Sequence, residues 1–116
     1  MNSYITVYDQ VLSDDQCDYF IDKFEKDTSA HEVQNNSHFS EEGERNATLT
    51  QINMLHSPNT IWKEDVNFLT KTIGNCVEVY KDQNYITPYQ WPDQYSLEPP
   101  KMKRYLANTS DEFPPH

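Results

Sequence analysis

Glycine is nearly missing from this sequence: Gly43 and Gly74 are the only two in 116 residues. Phosphate-cradling loops need several glycines so that backbone amides can approach the anion, and loops of that kind are therefore excluded. Cysteine is equally scarce. Cys17 and Cys76 are too few and too far apart for a zinc site, and both are expected as buried thiols on apolar helix faces in a reducing compartment. Basic residues are outnumbered, 9 against 19 acids, and the formal charge of -10 argues against nucleic acid or an anionic membrane surface as the main partner. No run approaches the ~18 apolar residues that cross a bilayer. The opening Met1-Asn2-Ser3-Tyr4 has neither the basic nor the apolar part of a secretory signal, so a cytoplasmic protein is expected. No Ser/His/Asp or Cys/His arrangement has local support for acyl transfer.

What the chain does have is aromatic area. Eight Tyr, five Phe and two Trp supply large buried surfaces that a disordered acidic chain would lack. With 35% hydrophobic residues, one small core in a single domain over residues 1–116 is the expectation. The acids crowd the first half of the chain. In residues 98–116, by contrast, Lys101, Lys103 and Arg104 balance Glu98, Asp111 and Glu112.

The β-branched and aromatic run Tyr4-Ile5-Thr6-Val7-Tyr8 predicts a short strand. Ser13 and Gln16 then form a capping box, with Asp14 and Asp15 suited to the positive end of a helix dipole. Cys17, Phe20, Ile21 and Phe24 supply the apolar stripe of a helix over residues 14–27. Residues 28–48 are polar, with scattered apolar side chains, and predict a long loop with at most a short strand. A strand is expected over 48–55 and a second helix from Ser57-Pro58, proline suiting the first helical position. Trp62, Val66, Leu69, Ile73, Cys76, Val77 and Tyr80 recur at helical spacing and predict one continuous stripe. Gly74 inside it costs about 1 kcal/mol relative to Ala, unless it marks a close helix contact.

Residues 83–100 are broken by Pro88, Pro92, Pro99 and Pro100, with Tyr85, Tyr89, Trp91 and Tyr95 between them. This reads as an aromatic loop, serving either as a lid over the core or as a recognition surface. Lys101 to Leu106 has the two-residue period of a strand, with Lys103 and Arg104 expected to solvate one face. A polar connection follows. His31, His38 and His56 match no ligand spacing and are expected as ordinary loop or surface histidines.

Lys103-Arg104-Tyr105, the polar connection, and then Phe113-Pro114-Pro115-His116 resemble the strand-loop-ligand passage of Fe(II)/2-oxoglutarate-dependent dioxygenases of the prolyl 4-hydroxylase type. The order of elements upstream is also similar to that family. The resemblance implies that His116 is the proximal histidine of an iron-binding facial triad and that Tyr105 faces the 2-oxoglutarate pocket. Two imidazoles and a carboxylate on one face of Fe(II) leave room for a bidentate 2-oxo acid and dioxygen.

The implied fold is α+β: an N-terminal strand and two helices on the beginning of a double-stranded β-helix, or jelly-roll, sheet. The implied reaction is hydroxylation of an unactivated C–H bond coupled to oxidative decarboxylation of 2-oxoglutarate. Its substrate would be a protein, a prolyl side chain first among the candidates, or a small molecule. The family's later Asp, distal His and basic anchor have no counterpart in these 116 residues. The fragment alone is therefore expected to be inactive, and no catalytic residue is assigned within it. The competing reading is a small acidic binding module that uses its aromatic loop.

Overall fold

Ser13 opens the first helix as its side chain suggests. Its Oγ accepts from the Gln16 backbone N–H at 3.1 Å while the Gln16 side chain accepts from the Ser13 N–H at 2.9 Å, closing both halves of the capping box. The computed structural model describes residues 4–40, 43–56 and 60–113. Helix α1 spans Asp14–Lys26 and ends in a 3-10 turn at Thr28–Ala30. A hairpin of β1 (Glu32–Ser40) and β2 (Gly43–Asn53) follows. A second 3-10 turn, Thr60–Trp62, leads into α2 (Lys63–Gln83), and β3 (Lys101–Arg104) completes an antiparallel sheet of order β1-β2-β3. Among the described residues this is a mixed α+β structure with two α-helices and a small three-stranded sheet.

Several sequence expectations are corrected here. Residues 4–8 form no strand, and Ile5 and Val7 are exposed. The segment instead lies along the end of α2, where the Tyr80 hydroxyl donates to Tyr4 O and the Tyr8 hydroxyl to Gln83 Oε1. The stretch expected as a loop is largely β1 and the start of β2, paired one-for-one from Glu32↔Gln51 to Ser40↔Gly43. Gly43 has φ 108°, a backbone state that suits glycine. The expected helix start at Ser57-Pro58 lies outside the described residues. The strand expected through Leu106 ends at Arg104.

Alternation along the strands decides what faces the core. Ile52 pairs with Met102 and Thr50 with Arg104, so these share one face, while Gln51 and Lys103 share the other. Ile52 is fully buried with Phe20, Phe24, Ala30, Met54 and Trp62, and Leu12, Val66, Leu69 and Met102 surround them. The apolar side chains of both helices thus meet one face of the sheet. On the opposite face Gln51 donates to Glu32 at 3.2 Å.

The α2 stripe is only partly used. Trp62, Val66 and Leu69 reach the core, but Ile73 is 45% exposed and Cys76 is half-buried. Cys17 is exposed, contrary to expectation, because Phe20 and Phe24 alone carry the buried edge of α1.

Polar side chains fix the two helices to each other. Lys23 Nζ donates to Asp65 Oδ2, to Ile61 O at 2.6 Å and to the Tyr19 hydroxyl at 3.1 Å. It also lies 4.8 Å from the Trp62 ring centroid. Tyr19 donates to the same carboxylate at 2.9 Å. Burial pulls the Lys23 amine down, but the hydrogen bonds and charge of Asp65 and Tyr19 outweigh it and leave the amine above its ordinary 10.5. Asp27, the C-cap of α1, accepts from the buried Trp62 indole N–H at 2.7 Å.

Candidate functional site

The segment after β3 carries the residues singled out by the sequence. Arg104, the last residue of β3, does not solvate the same face as Lys103. It turns to the helix side, pairs with Glu25 at 2.8 Å and lies 5.5 Å from the Phe24 ring centroid. Tyr105 follows directly and is 40% exposed. It lines a cavity of about 260 Å³ at the junction of α1 and β3, with Ile21, Phe24, Glu25, Met102 and Lys103.

Beyond Tyr105 the chain leaves the sheet and is drawn back by two short polar side chains. Asn108 Oδ1 accepts from the backbone N–H groups of Ser110 and Asp111 at 2.8 and 2.6 Å, a local turn built by its own side chain. Asp111 closes the loop: Oδ2 accepts from Leu106 N–H at 2.8 Å and Oδ1 from the Thr48 hydroxyl. The backbone then docks on β2, with Thr48 N donating to Ser110 O at 2.9 Å and Glu112 N to Thr48 O at 3.1 Å. Arg45 adds an ion pair to Glu112 at 3.2 Å. The hydrogen bond from Thr48, that from Leu106 N–H, the Asn108 side chain and the charge of Arg104 together hold the Asp111 carboxyl below its ordinary 3.8, against the smaller opposing effect of burial.

The bridge between Thr48 and Asp111 is parallel, whereas β3 runs antiparallel to β2. The chain at Asp111 therefore runs opposite to β3 after a short loop. His116 lies outside the described residues, so Tyr105 is placed but its suggested iron-binding companion is not. Among the described residues no three His, Cys, Asp or Glu side chains gather to hold a metal ion. Both Asp111 oxygens accept the hydrogen bonds that close the loop.

His56 is exposed, whereas His31 has a structural task. His31 Nε2 donates to Phe24 O at 2.7 Å and its ring stacks on Phe24 at 4.7 Å. No helix among the described residues is long and apolar enough to cross a membrane.

The aromatic loop is divided. Tyr89 is fully exposed and Tyr85 nearly so, while Trp91 lies 6.4 Å from Tyr80 and 5.6 Å from Tyr95. Trp91 helps line an apolar groove of about 340 Å³ with Tyr8, Val11, Ile73, Val77 and Tyr80. The sequence reading missed the loop closure by Asp111. Its signal was Asn108 set two and three residues before Ser110 and Asp111, the spacing of an Asn-built turn. No protein-family model, curated protein or solved structure matches the chain.

Proposed function

We propose that this chain forms the front of an Fe(II)/2-oxoglutarate-dependent oxygenase domain related to prolyl 4-hydroxylases. In this reading β2 and β3 begin its jelly-roll sheet, Tyr105 borders the 2-oxoglutarate pocket and His116 is one iron ligand. This reading requires the other ligands and the basic anchor for 2-oxoglutarate to be supplied by residues other than the described ones, among which no metal-holding group gathers. The group, when bound, would supply oxidative hydroxylation of a protein or small-molecule C–H bond.

The observation that carries the reading is the passage from β3 through Tyr105 to Asp111: a strand, a closed polar loop, and a return to the sheet in the opposite direction. The motif residues resemble the family in the same order.

The test is a titration of Mn(II) with 2-oxoglutarate against the 116-residue chain and against a chain extended along its reading frame. The short chain is expected to hold neither tightly, and the extended one to hold both. Tight stoichiometric metal binding by the short chain would show the ligands to be misassigned. So would a reading frame without an Asp two positions past His116.

The groove beside Trp91 favours a second reading. In it a small acidic module holds an apolar segment of a basic partner against Tyr80 and Trp91. A stop codon directly after His116 in an intact gene would favour this reading over the oxygenase.

A further inference from the structure

We draw no further inference here: the strongest candidate, the apolar groove of about 340 Å³ that Tyr8 and Val11 form with α2 and Trp91, is an unpartnered apolar face, and nothing in the structure shows what covers it.

Discussion

Replacing Trp62 by Phe removes one hydrogen bond and part of one ring from the most enclosed point between the helices. Trp62 is fully buried and Asp27, which receives its indole N–H at 2.7 Å, is 9% exposed. The remaining partner shown for the Asp27 carboxylate is the Ser29 hydroxyl at 3.2 Å. Loss of a hydrogen bond to a buried charged group costs about 1.5–3 kcal/mol. The volume lost from indole to phenyl, about 40 Å³, adds about 1 kcal/mol at ~24 cal/mol per Å³ of unfilled cavity.

The expected loss is therefore about 3 kcal/mol, a large part of the ~5–15 kcal/mol that holds a domain folded. Urea melts followed by far-UV circular dichroism measure it, and the thermal midpoint should fall by about 12 °C. Asp27→Asn preserves the shape of the acceptor, and a double-mutant cycle with Trp62→Phe should show coupling of at least about 1 kcal/mol. A loss below about 1 kcal/mol, or a strictly additive cycle, would refute the reasoning that this bond joins the end of α1 to the start of α2.

A Cβ built on Gly74 meets nothing within 4 Å, so Gly74→Ala should stabilise the chain by about 1 kcal/mol in the same melts, and destabilisation would reveal a close contact there. Asp111 is held below its ordinary 3.8 by the loop it closes. Its contribution is thus present above that pH and is lost as pH falls through the lower folded value. Amide exchange at Leu106 and Glu112 should accelerate there, and a carboxyl titration midpoint at or above 3.8 would contradict it. Lys23 is raised above 10.5, so its contribution is full below that pH and is lost as pH climbs past the folded value. Carbon-13 titration of its ε-carbon should show a midpoint above 10.5 that drops in Asp65→Asn, and no drop would separate Asp65 from the effect.

Where local chemistry was strong, the sequence could be read directly. The Ser13-Gln16 box and the Phe20/Phe24 spacing located α1, and the spacing of Trp62, Val66 and Leu69 located the part of α2 that reaches the core. Tertiary context decided the rest. Tyr4 to Tyr8 have strand-forming side chains but find partners on α2 rather than in the sheet, since strand propensity measures fit to a half-buried surface. β1 was unreadable for the opposite reason. Its sequence from Glu32 to Ser40 is mostly polar, and its place depends on backbone pairing with β2 rather than on a buried face. At the candidate site, the motif drew attention to Tyr105 and His116. The loop closure came from Asn108, Asp111 and Thr48, and Thr48 stands 63 positions from Asp111, a separation that no local pattern announces.

Paramagnetic broadening of backbone amide signals by Mn(II), in the presence of 2-oxoglutarate and on the chain extended past His116, tests the central claim most directly. The account predicts that His116 and its neighbours broaden first, with Tyr105 close behind, while β1 and the exposed face of α1 remain sharp. Broadening centred on the acidic residues of α1, or on His31 and His56, with Tyr105 and His116 untouched, would contradict it.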